Sequence, residues 1–180
     1  MICSSVCHLC YVKDPHICDM VAKLDYWGIA VLFLGSAYPQ ISYKYACGSM
    51  IVFRYIFVSI ITVCCAICMY CTMKPKFGSP PMRVLVFFLF GLSFLVPILF
   101  LQFKYDPAIS LPPNWSKLSD VGAIYFIGTF LYLTKIPERW LNGQTDFFGS
   151  SHNIFHVLIL VALAVDMVDC WQLYVERQQF

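Results

Sequence analysis

The sequence has few charged residues for its length. Only 12% of its 180 residues are Asp, Glu, Lys or Arg, whereas 60% are hydrophobic, and a typical soluble protein carries about 25% charged residues. A soluble domain of this size needs a charged surface, so most faces of this chain must meet lipid or other helices. The composition therefore predicts an integral membrane protein.

Other absent features exclude further classes of protein. The chain contains no run of Lys and Arg and its formal net charge is only +2, so we expect no nucleic-acid partner. The opening stretch, MICSSVCHLCYV, has no basic residue before its apolar part, which makes it a poor secretory signal peptide. The sequence contains neither an internal repeat nor a long linker, and we predict a single domain over residues 1–180.

Five apolar runs reach or approach the length of a membrane span. A spanning helix needs roughly 20 mainly apolar residues, and the runs are Tyr26–Tyr43, Ile51–Met73, Val84–Phe103, Leu118–Thr134 and Ile154–Tyr174. The opening run, residues 1–12, would rise only ~18 Å as a helix and cannot span alone. We therefore predict an all-α membrane bundle with five full spans and the end of a sixth. Pro97 should bend the third of the five helices.

Residues that commonly bind metals fall at the ends of three predicted helices. His8 lies at the end of the opening run, Asp25 at the start of the next, and His152 and His156 at the start of the last. Because successive spans cross the membrane in opposite directions, these four positions share one membrane depth. Seven of the twelve Lys and Arg residues flank that side, and the positive-inside rule assigns the side with this small excess to the cytoplasm.

The spacing of the two late histidines suits a metal site. His152 and His156 share one face of a helix and can offer two nitrogens to one ion. A third histidine from another helix would complete three ligands with an open fourth position, the pattern of catalytic zinc. Asp25 could then hold the bound water or orient a ligand. Ser4 would lie one turn from His8 on the same helical face.

Structural roles explain the same residues equally well. Histidines near a helix end are usually solvated at the membrane interface. Ser150 or Ser151 can serve as the N-cap of the last helix, and Asp25 can favour the dipole at a helix N-terminus.

Two further groups have alternative interpretations. Four cysteines in the second apolar run form the pattern CCxxCxxC, at Cys64, Cys65, Cys68 and Cys71. Because the run is apolar and no second cysteine pair has zinc-finger spacing, we predict that these thiols face lipid or pack between helices. Asp166 and Asp169 occur late in the last run, where they could line a polar vestibule or simply lie near a helix end.

Several motifs resemble one family of membrane proteins, the progestin and adipoQ receptors. The family includes the adiponectin receptors and haemolysin III-like proteins. The similar segments cover nearly the whole chain and are the SxxxH pattern of Ser4 and His8, LDYWGIAVLFLGS (24–36), GLSFLVP (91–97), GAIYFIGTFLYLTKIPERW (122–140) and SHNIFHVLI (151–159). Members have seven spans, so the resemblance implies that this sequence lacks the first helix and most of the second.

The resemblance also implies a function. It implies zinc bound by His8, His152 and His156, with Asp25 acting through a water and Ser4 in the same motif. Adiponectin receptors and related ceramidases hydrolyse ceramide-type lipid amides to a fatty acid and a sphingoid base, so the implied partners are membrane lipids, together with an extracellular hormone or a cytoplasmic signalling protein. The implied location is the plasma membrane or the Golgi. The alternative function is a non-enzymatic endomembrane scaffold that tethers signalling proteins and holds zinc structurally.

Overall fold

The computed structural model describes residues 15–46, 48–74, 79–104, 114–140 and 149–179. The regular structure in these ranges is helical, with α1 (Pro15–Lys44), α2 (Met50–Met73), α3 (Pro80–Leu92), α4 (Leu95–Lys104), α5 (Trp115–Thr134) and α6 (Ser151–Gln178). The predicted all-α class is confirmed for this part of the chain. The chain divides into two compact units, Met1–Pro112 and Pro113–Phe180. The single domain over residues 1–180 stays a prediction.

Four of the five predicted apolar runs lie within single helices, and the run Val84–Phe103 is divided between α3 and α4. Among the described residues, three helical segments are long and apolar enough to cross a membrane, namely Met50–Met73, Pro81–Lys104 and Ser151–Gln178. The segment α1 begins at Pro15, eleven residues before the predicted run. The first turn of a helix tolerates proline, and residues 16–25 contain no Gly or Pro that would stop the helix.

The helical segment formed by α3 and α4 is interrupted ahead of Pro97. Proline lacks an N–H group, and its ring clashes with the carbonyl four residues earlier, which here belongs to Ser93. The chain responds with tighter bonds, because Ser93 N–H donates to Phe90 O at 3.0 Å and Phe94 N–H donates to Gly91 O at 3.1 Å. These three-residue spacings are typical of a 3₁₀ turn. The helix is thus interrupted shortly before Pro97, and the predicted bend itself stays a prediction.

Small residues and thiols form the contact between α1 and α2. Ala30 of α1 is buried, and so are Cys65 and Cys68 of α2. The Cys65 thiol lies 3.5 Å from the backbone oxygen of Ala30, and both thiols are free. Small residues allow two membrane helices to approach closely. The predicted packing role is therefore confirmed for Cys65 and Cys68.

The first unit also contains a cluster of aromatic rings around Tyr45. Tyr45 is buried, its ring lies 5.4 Å from that of Phe57, and Phe57 in turn lies 5.3 Å from Phe100. The Tyr45 hydroxyl donates a hydrogen bond to the backbone oxygen of Pro97. This hydrogen bond connects the start of α4, just after the helix interruption, to Tyr45, the residue that follows α1.

Replacing Tyr45 by phenylalanine should lower the stability of the first unit. The ring packing would remain, but the buried hydrogen bond to Pro97 would be lost, at a cost of about 1 kcal/mol. Thermal unfolding of the purified protein in detergent measures the effect. The control is Tyr55→Phe, because the Tyr55 side chain is exposed. Equal melting temperatures for the two variants would show that the Tyr45 bond contributes nothing.

The second unit is built from the helical pair α5 and α6. Gly128 is the buried residue of α5, and a Cβ atom added there would lie 3.1 Å from the ring of Phe155 and 3.4 Å from a methyl group of Leu158. At the other end of the pair, the Asn114 side chain accepts a bond from the backbone N–H of Lys117. The contact at Gly128 therefore determines how closely α5 approaches α6, and Asn114 determines where α5 begins.

Candidate metal centre

The start of α6 is fixed by a serine cap. Ser150 has an extended backbone conformation, and its side-chain oxygen accepts a hydrogen bond from the backbone N–H of Asn153 at 3.2 Å. Its backbone oxygen accepts the first helical bond, from the N–H of Ile154 at 2.9 Å. The N-cap role, predicted for Ser150 or Ser151, is confirmed for Ser150. The residues that follow are helical from their first turn.

The cap brings the two late histidines together on one face. The Nε2 atoms of His152 and His156 are 3.1 Å apart, and their ring centroids are 4.5 Å apart with nearly perpendicular planes. His156 is buried, and His152 is half-buried. Two ring nitrogens this close cannot both carry a hydrogen, so at least one presents its lone pair to the space between the rings.

The spacing of the two nitrogens fits a shared metal ion. A tetrahedral ion with metal–nitrogen distances of 2.0–2.1 Å places two of its nitrogens roughly 3.3 Å apart, close to the observed 3.1 Å. Imidazole nitrogens suit zinc and the neighbouring first-row metals, whereas magnesium and calcium prefer oxygen. The donor set of α6 is therefore appropriate for a transition metal.

Aromatic side chains enclose the histidine pair within the second unit. The Tyr132 ring of α5 lies 5.8 Å from the His152 ring and 5.7 Å from the Phe155 ring. Phe155 in turn lies 6.0 Å from the His156 ring. Phe155 is the side chain closest to a Cβ atom built at Gly128. The distance between α5 and α6 at Gly128 therefore affects the position of the ring that lies beside His156.

One more predicted site residue lies within the described part of the chain. Asp25 of α1, in the first unit, is buried, and burial of a carboxylate is costly unless the group is hydrogen-bonded or paired. Ser4 and His8, the other predicted site residues, lie outside the described residues.

A polar contact at the start of α6 was not predicted from the sequence. The hydroxyl of Ser151, directly before His152, donates a hydrogen bond to Glu138 Oε1 at 3.0 Å, and Ser151 is buried. Glu138 belongs to the segment 122–140 that carries part of the family resemblance. The sequence contained a signal for this contact. Glu138 is a carboxylate in the turn at Pro137, and that turn comes shortly before the two serines that begin α6.

The two late aspartates do not belong to the histidine pair. Asp169 lies seventeen residues after His152, or about 25 Å along the helix. It is buried, and its Oδ1 accepts a hydrogen bond from Asn114 Nδ2 at 3.1 Å. Because Asn114 also caps α5, Asp169 ties the start of α5 to the second half of α6.

Comparison with known proteins identifies the family. The family model described as "Haemolysin-III related" matches residues 1–167. The chain belongs to the haemolysin-III-related family. Among its relatives are heptahelical membrane proteins of the adiponectin receptor type, so the chain is an integral, multi-pass membrane protein. A haemolysin-III-related chain with membrane-length helices and a close histidine pair agrees with the resemblance seen in the sequence.

Curated members of the haemolysin-III-related family come from plants and animals. Heptahelical transmembrane protein 4 of Arabidopsis thaliana is 34% identical over 164 residues, which are 89% of this chain and 42% of the relative. Heptahelical transmembrane protein 5 of the same plant is also 34% identical, with 43% of its length covered. The adiponectin receptor protein of Drosophila melanogaster is 32% identical over 81% of this chain and 33% of its own length. The chain thus spans less than half the length of these relatives.

Proposed function

We propose that this chain forms the zinc-binding part of a receptor-like membrane protein that hydrolyses ceramide-type lipid amides. The observation that carries the proposal is the 3.1 Å separation of the His152 and His156 Nε2 atoms, which fits two ligands of one tetrahedral ion. In this proposal His8 is the third zinc ligand. Asp25 acts through a water molecule, and Ser4 supports the segment that carries His8.

Zinc would supply Lewis acidity and would lower the pKa of a bound water to roughly 7. The side chains of this chain have three tasks. His152 and His156 hold the ion through neutral imidazole nitrogens. The Asp25 carboxylate takes a proton from the attacking water and returns it to the leaving amine. The water oxygen bonds to the amide carbonyl carbon and the C–N bond breaks, which releases a fatty acid and a sphingoid base.

The apolar composition supports a lipid substrate. A ceramide has two long hydrocarbon chains, which an aqueous pocket would bind poorly. Next to the histidines lie the rings of Tyr132 and Phe155, which offer an apolar surface to an acyl chain. We further propose that α1 and α5 cross the membrane as well, which gives five full spans, and that the zinc site faces the cytoplasm.

The test of this proposal is hydrolysis of a ceramide by the purified protein. Asp25→Asn keeps the size of the side chain but removes its basicity. We expect this variant to retain zinc and to lose activity by a factor of about 10²–10⁴, the usual contribution of a general base. Fatty acid release measured by mass spectrometry, together with zinc content per chain, separates the two effects.

The controls use the metal itself. Removal of zinc with a chelator should abolish turnover, and re-addition of zinc should restore it in the unmodified protein but not in the Asp25→Asn variant. Zinc bound at one ion per chain without turnover of any ceramide would contradict the hydrolase proposal. That outcome would favour the scaffold function, in which the metal is structural.

A further inference from the structure

The turn that follows α5 places a carboxylate beside the start of α6. Lys135 ends α5 in the left-handed conformation, and its N–H donates to Leu131 O. The turn is closed by two more backbone bonds, from Arg139 N–H to Lys135 O at 2.8 Å and from Trp140 N–H to Pro137 O at 2.9 Å. These backbone bonds constrain the path of the turn, and Glu138 lies inside it.

Glu138 reaches α6 through a partly buried hydrogen bond. Its Oε1 accepts the Ser151 hydroxyl proton at 3.0 Å, and Ser151 is only 4% exposed. A hydrogen bond to a charged acceptor is stronger than one between neutral groups. The other oxygen, Oε2, is also buried and has no hydrogen-bond partner among the described residues. In this part of the chain, the hydrogen bonding of Glu138 therefore runs through Ser151.

Ser151 is well placed to transmit this contact to the histidines. It is the first residue of α6 and directly precedes His152, and His156 follows one turn later. The Ser150 cap fixes the backbone of this first turn through Asn153, but a cap alone leaves the helix free to rotate slightly about its axis. The Glu138 contact attaches the same turn to a second point outside the helix.

We propose that Glu138 is a positioning residue for the metal centre, acting through the Ser151 hydroxyl to set the orientation of His152 and His156. The proposal rests on the proposed function only in requiring that the histidine pair binds zinc. It does not require ceramide hydrolysis. The negative charge of Glu138 also suits its location, because the N-terminus of a helix favours an anion.

The test measures metal binding in four single variants of the purified protein and in one double variant, which combines Glu138→Ala with Ser151→Ala. Glu138→Ala and Ser151→Ala each remove the contact, whereas Glu138→Gln keeps an oxygen that can accept the Ser151 proton. The control, Glu176→Gln, changes an exposed carboxylate at the other end of α6. Chelator competition gives the zinc Kd, and the d–d absorption of the Co²⁺-loaded protein reports ligand geometry.

We expect Glu138→Ala and Ser151→Ala to raise the zinc Kd by about tenfold, the lower end of the range for groups that orient metal ligands. Both should change the Co²⁺ spectrum, whereas Glu138→Gln and Glu176→Gln should match the unmodified protein. The double variant should bind no more weakly than either single variant, because both remove the same contact. Melting temperatures measured without metal identify any variant that has lost its fold. Ser151→Ala removes fewer atoms than Glu138→Ala and should disturb the fold less.

Three results would overturn the proposal. The first is an unchanged Kd and Co²⁺ spectrum in Glu138→Ala and Ser151→Ala. The second is a Glu138→Gln variant that binds as weakly as Glu138→Ala, because the hydrogen bond would then not be the cause. The third is failure of the unmodified protein to bind zinc, which overturns the proposed function as well and so differs from the first two results.

Discussion

Replacing His156 by alanine should remove zinc from the purified protein. Its Nε2 lies 3.1 Å from that of His152, so the variant loses one of the two nitrogens whose separation fits a shared ion. Loss of a group that only orients a ligand weakens metal binding by about 10–100-fold, and loss of a ligand should exceed that range. Zinc content per chain and chelator competition measure the effect, and His152→Ala should behave in the same way.

The melting temperature provides an independent measurement of the same effect. A metal that binds only the folded protein raises the melting temperature, by an amount that grows with the ratio of free metal concentration to Kd. Added zinc should therefore stabilise the unmodified protein and leave His156→Ala unchanged. The control is Val157→Ala, which shortens an exposed side chain next to the histidine and should keep the zinc response. An unchanged zinc content in both histidine variants would exclude this pair as the metal site.

Replacing Gly128 by leucine should separate α5 from α6. Even a single Cβ atom at Gly128 would lie 3.1 Å from the Phe155 ring, and a full leucine side chain has no space there. Overpacking of this kind costs about 1–3 kcal/mol. Because the Phe155 ring also lies 6.0 Å from that of His156, the zinc affinity should fall together with the stability. Thermal unfolding and chelator competition on the same sample measure both.

The matched control for this variant is Gly122→Leu. Gly122 lies on the same helix, and a Cβ atom there would meet nothing within 4 Å. Both variants gain the same intrinsic preference of leucine for a helix, so the difference between them isolates the contact with α6. If Gly128→Leu is as stable as Gly122→Leu, the close approach at Gly128 does not hold the pair together.

The helices were predictable because membrane insertion leaves a strong signal in composition. Runs such as Ile51–Met73 are apolar over the length of a bilayer, and α2 covers the same residues almost to the residue. The break before Pro97 was predictable for an equally local reason, since proline removes a backbone donor wherever it occurs. The early start of α1 was missed, because Pro15 reads as a stop signal although it is also a favoured first residue of a helix.

The candidate site was predictable only in part. The spacing of His152 and His156 predicts a shared face from helix geometry alone, and the structure adds the 3.1 Å separation. The choice between Ser150 and Ser151 as the N-cap was open in the sequence, since both residue types can cap. In the structure Ser150 is the N-cap. The hydroxyl of Ser151 is therefore available to donate a hydrogen bond to Glu138.

The sequence by itself determined that the chain is a helical membrane protein with a histidine pair at the start of its last helix. Both conclusions depend on local properties, namely apolar length and a spacing of four residues. Only the tertiary structure decided which distant groups support that pair. Glu138 comes to Ser151 because of how the turn after α5 folds, and Gly128 comes to Phe155 because of how the two helices pack. Such contacts depend on how separate segments pack in three dimensions, and residue spacing carries no direct record of that packing.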